Sequence, residues 1–520
     1  MKLKNLIYAA TLATILIGAG GCKKDKFDIN SNPDAVTDVS VTPSVLLPGA
    51  QQVTSAIVAA DFWWLQMWMG YWARSGSYQS ITDLETYRFT NEFQTQVWYD
   101  LYSNANNYHI MMTKAKALDQ GFYEAVGRIM KSHNFQMLVD VYNNVPYFEA
   151  FQGAAVPTPK YDKGEDIYKD IFRQLDTAIA LLEGPTSDGP SNPDKAVADL
   201  VYKGDNTLWI KFANTLRLRM IMHLHNGMNT TQVVPGFDIA GEVAKITSDG
   251  FLGTGQSAHL NPGFSGTKPA PYYRFYHTNE AGSASQRDHI RASAYAVGYY
   301  QYNGDPRITR FYTAPGGGTT IGSHVGIPFG TPSGPTAPIG SDLSTVRGPG
   351  LIPQGASSRA WIMTSVESFF LQAEARERGV LTSGPSASAL LTSGITESFL
   401  WLGLTAAQAN TYITNNATWP DVDYNAVGGG IFTIMTQKWF ALNSIATLEI
   451  WTDYRRTDYE LGTPVGYDPG PPISEDPGNT ATEIPKRLLY PQGEYNYNAA
   501  NVGAEGTINV FTSRIFWDLN

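Results

Sequence analysis

Apolar residues recur at helical spacing along much of the chain, and this periodicity is its strongest structural signal. The predicted helices cover residues 44–72, 95–118, 122–142, 165–182, 207–225, 364–378, 405–415 and 431–442. Thr364 and Glu367 have the spacing of a capping box, and Gly379 stands where that helix would end. Alternating strand patterns are sparse, so the sequence predicts a mostly α-helical protein.

The lengths of these helices indicate stacked helical hairpins of the tetratricopeptide kind. No clean repeat of tetratricopeptide length accompanies them, so this prediction depends on helix length alone. Long stretches rich in Gly and Pro separate the helices, at residues 253–271, 315–357 and 461–485. Aromatic residues are interleaved with the Gly and Pro, which favours ordered loops over flexible linkers. We expect one helical domain over residues 44–520 with a loop-rich face.

The N-terminal segment, residues 1–21, has the pattern of a secretory signal peptide. Lys2 and Lys4 precede an apolar run, and small residues at 19–21 lead to Cys22, the only cysteine of the chain. The run is shorter than the roughly 20 residues that a membrane-spanning helix needs. We therefore predict cleavage before Cys22, lipidation of that cysteine, and a polar linker over residues 22–43. An incidental cysteine in a signal peptide cut elsewhere is the alternative.

Composition narrows the classes of partner and chemistry. The net charge of −10 and the lack of a basic patch argue against a nucleic-acid partner. Charged residues make up 16% of the chain and aromatic residues 12%, which suits a neutral ligand or a large protein partner. No HExxH, GxSxG or Walker motif occurs. We therefore expect no catalytic residue, no metal site and no cofactor.

Other conspicuous positions have structural interpretations. Trp209, Phe212 and Leu216 recur at helical spacing, which predicts a buried stripe. The charged residues of the later motifs, including Glu374, Arg455 and Arg456, are expected to be structural ion-pair partners.

A series of short motifs runs along the chain in a fixed order. They are FDINSNP at 27–33, VDVYNNVPY at 139–147, YDKGEDIY at 161–168, LDTA at 175–178, WIKFANTLRLR at 209–219, ESFFLQAEA at 367–375, GITESF at 394–399, QKWFAL at 437–442, WTDYRRT at 451–457 and IPKRLLYP at 484–491. Taken together, these motifs resemble those of the SusD/RagB family of outer-membrane lipoproteins, in particular its SusD-like branch.

The resemblance implies a scaffold of tetratricopeptide-like hairpins whose irregular segments build a binding face. It also implies a non-catalytic, surface-exposed lipoprotein that captures a nutrient and acts as a lid over a SusC-like TonB-dependent transporter. The nutrient in that family is often an oligosaccharide, and some relatives handle peptides. A surface glycoside hydrolase is the main alternative, although no carboxylate pair stands out for it. A structural or adhesion protein is the other.

Two aromatic clusters are the candidate ligand contacts, because a sugar needs a flat ring for its apolar face and hydrogen-bonding groups around it. The first cluster, at the end of the first predicted helix and in the following turn, comprises Trp72, Arg74 and Tyr78. The second, in a predicted loop flanked by Pro and Gly, comprises Tyr272, Tyr273, Arg274 and Tyr276. Loop aromatics are preferred to Trp63, Trp64 and Trp68, which a helix can direct into the core. No family motif marks any of these positions.

Overall fold

The chain consists mostly of α-helices and connecting loops, which confirms the predicted fold class. The computed structural model describes residues 41–226, 232–246, 248–260, 263–285, 287–457 and 471–519. Residues Pro43–Asn520 form one compact unit. The predicted signal peptide, Cys22 and nearly all of the predicted linker lie outside the described residues, as does part of the 461–485 stretch.

The helices are numbered here in chain order. Helices α1 to α10 are Pro43–Ala60, Trp63–Trp68, Thr82–Thr86, Thr95–Ala117, Gly121–Tyr142, Gly164–Glu183, Lys195–Ala198, Asn206–His223, Ile239–Ala244 and Pro271–Tyr276. Helices α11 to α19 are Ala294–Tyr302, Ile308–Phe311, Ser365–Glu377, Ala387–Trp401, Ala406–Asn415, Ile431–Leu442, Thr447–Thr457, Gln492–Tyr497 and Ala499–Ala504. Strands β1 to β6 are Trp72–Arg74, His225–Asn226, Gln232–Val233, Ala258–Leu260, Ile290–Ala292 and Ala360–Met363.

Consecutive long helices pack against one another, as a hairpin scaffold requires. Helix α5 lies against both α4 and α6, and α13 lies against α14. The predicted stripe of Trp209, Phe212 and Leu216 on α8 is confirmed, because each side chain is fully buried. The strands are short and pair antiparallel, β1 with β5, β2 with β3 and β4 with β6. No described helix combines the length and apolar character that a bilayer-spanning segment needs.

The predicted cap of helix α13 is half correct. The Thr364 side chain accepts a hydrogen bond from the main-chain N–H of Glu367 at 3.2 Å. Gly379 follows the helix in a left-handed conformation, with φ of +72°. The Glu367 carboxylate does not return to the cap, because it pairs with Arg219 at 2.6 Å. A tertiary ion pair has replaced the second half of the capping box.

The single helix predicted over residues 44–72 is wrong. Helix α1 ends at Ala60, α2 occupies Trp63–Trp68, and Trp72 already lies on β1. Gly70 ends this region with φ of +79°, which L side chains rarely adopt, and a Cβ there would lie 2.7 Å from the Tyr295 ring. The left-handed glycine lets the chain leave the helix and pair with β5.

Helices α14 and α17 are absent from the predicted set. Helix α14 is apolar or small on most sides and is largely buried, so it lacks an amphipathic period. Helix α17 carries Glu449, Asp453, Arg455 and Arg456 within 11 residues. Such a polar segment is typical of a solvated surface, yet all four side chains are buried.

Buried charges from five helices meet in what we call the central charge network. Its members are Asp140 on α5, Arg219 and His223 on α8, Glu367 and Glu374 on α13, Lys438 on α16, and Glu449, Asp453 and Arg456 on α17, each at most 3% exposed. Arg456 donates to both oxygens of Glu374 at 2.7 and 2.8 Å and to Asp453 at 2.6 Å. The expected ion-pair roles of Glu374 and Arg456 are thus confirmed. Arg455 instead donates to main-chain carbonyls and stacks on Trp451 at 3.6 Å.

His223 is the titratable centre of this network. Its Nε2 lies 2.9 Å from Glu449, and its Nδ1 lies 3.3 Å from Asp140. Burial alone would lower the pKa of His223, but the charges of Glu449 and Asp140 outweigh burial and raise it to about 9. The three groups present their ligand atoms within 4.8 Å of one another. With the imidazole held between two carboxylates, the three groups form a buried ion network.

We predict that the stability of the protein falls as pH rises from about 6.5 to about 9. The pKa of His223 is raised above its ordinary value of 6.5, so its charge stabilises the fold below pH 6.5 and is lost through pH 9. The loss amounts to up to about 3 kcal/mol, and urea unfolding at several pH values measures it. His223→Gln should remove this pH dependence, whereas His259→Gln, at an imidazole with no carboxylate partner among the described residues, should retain it. Equal pH profiles for the wild type and His223→Gln would contradict the assignment.

Candidate ligand-binding site

The first predicted cluster spans the core and the surface. Trp72 and Arg74 on β1 are 1% and 2% exposed, whereas Tyr78 is 43% exposed. The Arg74 guanidinium donates to the two oxygens of buried Glu85 at 2.7 and 3.1 Å, and to the Thr331 carbonyl at 2.7 Å. Trp72 and Arg74 are therefore core residues, and Tyr78 is the member of this cluster that offers a ligand a surface.

The second predicted cluster forms helix α10 rather than a loop, with a proline in its first turn. The helix directs Tyr272 and Tyr276 inward, where they are 3% and 1% exposed. Their hydroxyls donate to main-chain carbonyls at 2.8 and 3.0 Å. Arg274 is exposed and Tyr273 is half-buried, stacked on His277 at 4.5 Å. Only Tyr273 and Arg274 of this cluster remain accessible to a ligand.

Tyr78 belongs to a series of ring contacts that we call the aromatic row: Tyr78, His289, Trp63, Arg287 and Phe275. The Tyr78 and His289 ring centroids are 5.8 Å apart, and the Trp63 ring meets His289 edge-on at 6.4 Å. The guanidinium carbon of Arg287 lies 5.2 Å from the ring centroids of both Trp63 and Phe275. All five side chains are at least partly exposed, so the row is a surface feature.

A cleft of about 300 Å³ opens beside the aromatic row, and we call it the row cleft. It is lined by Arg274, Phe275, Asn279, Glu280, Ser285 and Arg287. Arg274 and Glu280 form an ion pair at 2.5 Å, and their side chains are 50% and 45% exposed. The Asn279 side chain accepts main-chain hydrogen bonds from Ala281 and Ser283, both at 3.0 Å, and so holds the turn that carries Glu280. The cleft has a polar wall and an aromatic wall.

Arg287 joins the two walls. Its Nη1 donates to the Ala60 carbonyl at 2.9 Å and to the Tyr276 hydroxyl at 3.2 Å, which fixes the plane of the guanidinium. Within the described part of the chain, its Nε and Nη2 make no hydrogen bond. These two nitrogens are donors available to a ligand in the row cleft.

This arrangement matches the chemistry of a sugar. Trp63, Phe275 and Tyr78 offer ring surface to the apolar C–H faces of a pyranose. Arg287 and Asn279 provide polar groups for its hydroxyls. A second cleft of about 310 Å³ is lined by residues 86–88 and 480–483 and by Phe511. Its other aromatic residue, Tyr87, is 2% exposed, so this cleft has less ring surface and is the weaker candidate.

Sequence reasoning missed five residues of this site: Trp63, Phe275, Asn279, Arg287 and His289. Trp63 belongs to a predicted helix, where large rings are expected to face the core. Successive helical residues point about 100° apart, so Trp64 can fill the core while Trp63 faces outward. Indeed Trp64 is fully buried and Trp63 is not. The other four residues lie in one stretch, residues 275–289, and no local pattern indicates that this stretch meets Trp63.

Comparison with known proteins gives a family and a fold. The SusD-like family, described as starch-binding and associating with the outer membrane, matches residues 33–491. A solved chitin-binding protein has 22% sequence identity and a TM-score of 0.70, with 92% of this chain and 100% of that chain covered. A chitin-binding SusD homologue from Flavobacterium johnsoniae has 24% identity and a TM-score of 0.68, over 91% and 97% of the two chains. A SusD homologue from Bacteroides ovatus has 20% identity and a TM-score of 0.71, over 92% and 99%. No curated protein matches the chain.

Replacing Arg74 tests its placement in the core. We predict that Arg74→Met costs about 3–5 kcal/mol of unfolding free energy, because it leaves the buried Glu85 carboxylate unpaired. Arg274→Met removes an exposed pair and should cost less than about 1 kcal/mol. Urea unfolding of both variants measures the difference. If the two substitutions cost the same, Arg74 is not the buried ion-pair partner described here.

Proposed function

The chain belongs to the SusD-like family, and from this membership we propose that it binds a glycan at the cell surface. The glycan, an oligosaccharide or a segment of a polysaccharide, occupies the aromatic row and the row cleft. The observation that carries the proposal is the exposed row of rings beside a polar cleft, with Arg287 fixed between them. Of the two clusters predicted from the sequence, Tyr78 and Arg274 are retained as proposed contacts. Tyr273 lies on the same short helix as Arg274 but lines neither the aromatic row nor the row cleft.

The family description and two similar structures support a carbohydrate as the ligand. The family is described as starch-binding, and two solved proteins with this fold are named as chitin-binding. Starch and chitin are both neutral polymers of pyranose rings, and the row cleft suits such a ligand. On the polar wall of the cleft, the charges of Arg274 and Glu280 compensate each other, because the two side chains form an ion pair. Ring stacking and hydrogen bonds then provide the affinity.

We propose binding without catalysis. Glycoside hydrolysis ordinarily requires two carboxyl groups facing each other across the scissile bond. Among the residues that line the described row cleft, Glu280 is the one carboxylate, and it forms an ion pair with Arg274. These features support a capture protein rather than a surface glycoside hydrolase.

We further propose a lipid anchor and a transporter partner. Cys22 carries the acyl chains, and the protein delivers its cargo as a lid over a SusC-like TonB-dependent transporter. The family association with the outer membrane supports this location. The signal-like pattern before Cys22 supports the anchor.

Substitution of the aromatic row tests the binding site. We predict that Trp63→Ala and Arg287→Ala each weaken glycan binding about tenfold or more, equivalent to about 1.4 kcal/mol, because each removes a contact surface of the aromatic row. Calorimetric titration with maltotriose, soluble starch and N-acetylglucosamine oligosaccharides measures the affinity. Tyr497→Ala is the matched control, because this 84% exposed aromatic residue lies outside the row.

Two outcomes would contradict the proposal. Binding of one of these glycans that survives both Trp63→Ala and Arg287→Ala would remove the row cleft as the site. A native protein that binds none of a broad glycan panel, but binds peptides, would replace the carbohydrate with a peptide cargo.

Membrane fractionation tests the anchor. We predict that the mature protein partitions with detergent and that Cys22→Ala releases it, because stable anchoring depends on acyl chains at that residue. Immunoblots of membrane and soluble fractions measure this, with Ser31→Ala in the predicted linker as the control. An anchored Cys22→Ala variant would refute lipidation at this residue.

Affinity purification of the anchored protein from solubilised outer membrane should recover the transporter, and its repeated absence would count against the lid role.

A further inference from the structure

A second exposed aromatic pair lies away from the row cleft. Tyr302, the last residue of α11, and Trp419, in the loop after α15, are 45% and 46% exposed. Their ring centroids are 5.3 Å apart with an interplanar angle of 83°, an edge-to-face arrangement. Each residue of the pair keeps nearly half of its surface exposed to solvent. Neither residue contributes to the row cleft.

The loop that carries Trp419 is held in place by its own hydrogen bonds. The Asn416 side chain donates to the main-chain carbonyl of Asn303, next to Tyr302, at 3.1 Å. The main-chain N–H of Trp419 donates to the Asn416 carbonyl at 3.0 Å, and the Trp419 carbonyl accepts from the main-chain N–H of Asp423 at 2.7 Å. Binding at this loop would therefore require little ordering of the backbone.

The indole N–H of Trp419 is left available. Within the described residues, Trp419 makes hydrogen bonds through its main chain and none through its indole nitrogen. An exposed tryptophan with an unused donor combines an apolar face and a polar edge at one position. A sugar ring, with C–H groups on its face and hydroxyls at its rim, presents the complement of both.

The two chain segments that carry the pair contain no charged side chain. Residues 292–304, which carry Tyr302, and residues 398–420, which carry Trp419, contain no Asp, Glu, Lys or Arg. The next acidic residues are engaged, since Asp421 is 4% exposed and accepts from Asn303, and Asp423 accepts from two main-chain N–H groups at 3.0 Å. Around Trp419, exposed Thr414, Asn415 and Thr418 supply hydroxyl and amide groups. These two segments supply no charge that would attract an anionic lipid headgroup or a charged peptide.

One rigid segment connects this pair to the aromatic row. His289 of the row immediately precedes β5, which runs into α11, and Tyr302 ends α11. Helix α11 has 9 residues, so it holds Tyr302 about 12 Å from its first residue. We expect a short oligosaccharide to occupy one of the two places and a long chain to reach both. Simultaneous contacts on one chain raise the apparent affinity without any new chemistry.

We propose that Trp419 and Tyr302 form a second stacking platform that binds another segment of the neutral polysaccharide held at the row cleft. This inference rests on the proposed glycan-binding function. The platform discriminates by chain length, because it raises the apparent affinity for a polymer and adds no contact to a trisaccharide bound at the row cleft.

The test compares short and long glycans on the full chain. Maltotriose with soluble starch, and the N-acetylglucosamine trimer with colloidal chitin, are the probes. Trp419→Ala should leave the affinity for the trisaccharides unchanged and weaken binding of the matching polymer by roughly threefold to tenfold. Trp419→Phe, which keeps a ring, should recover part of the loss. Tyr497→Ala, at another exposed aromatic residue, should bind like the wild type.

A spectroscopic readout locates the contact. In protein labelled with 5-fluorotryptophan, the Trp63 and Trp419 fluorine signals are assigned by substitution. The polymer should shift both signals together, and the trisaccharide should shift the Trp63 signal first.

The outcomes separate this inference from the proposed function. If Trp63→Ala weakens binding and Trp419→Ala leaves polymer binding unchanged, the second platform is wrong and the row cleft stands. If Trp419→Ala weakens trisaccharide and polymer equally, chain-length discrimination is wrong. If the native protein binds no glycan, both proposals fall. If Trp419→Ala instead changes the sedimentation coefficient, the pair is a contact between two copies of the chain.

Discussion

The central charge network is the constraint on which the rest of the structure depends. It joins α5 and α8 from the first half of the chain to α13, α16 and α17 from the second, entirely through buried ions. A buried ion pair adds little stability over well-packed apolar side chains, but removing one partner is costly. The network therefore penalises every arrangement in which these helices are out of register. Arg456 illustrates this, because its planar guanidinium must meet both oxygens of Glu374 and also Asp453.

A chain of contacts leads from the network to the binding surface. Helix α17 carries Glu449 of the network and also Trp451, whose ring packs against Trp64 at 5.4 Å and Trp68 at 6.2 Å. These two tryptophans fix the rotation of α2. With Trp64 inside, the neighbouring Trp63 is directed to the surface, where it meets Arg287. The position of the aromatic row thus follows from packing in the core.

Local sequence patterns predicted the helical class, most long helices and the cap at Thr364, because each depends on neighbouring residues. They did not predict α17, since its charges are neutralised partly by one another and partly by Lys438 and Glu374 from other helices. The site was harder for the same reason. An arginine is ordinarily expected at the surface, and Arg74 is buried because Glu85 and the Thr331 carbonyl accept its hydrogen bonds. A preference for loop aromatics likewise failed at Tyr272 and Tyr276, where a proline starts a short helix that turns both rings inward.

The distribution of charge between interior and surface bears directly on ligand choice. This chain devotes many of its few charged residues to buried pairs that hold helices together. Apart from Arg287, the aromatic residues of the two proposed binding surfaces stand in segments without charged residues, as along residues 398–420, or beside ions that are already paired, as at Arg274 and Glu280. A neutral glycan can approach such surfaces without stripping water from an unpaired ion, which would be costly. On these surfaces, Arg287 with its open nitrogens is the one group whose charge could offset the free energy of desolvating a charged ligand. The proposed preference for neutral polymers agrees with this placement of charge, which serves the scaffold and leaves the ligand surfaces with few free ions.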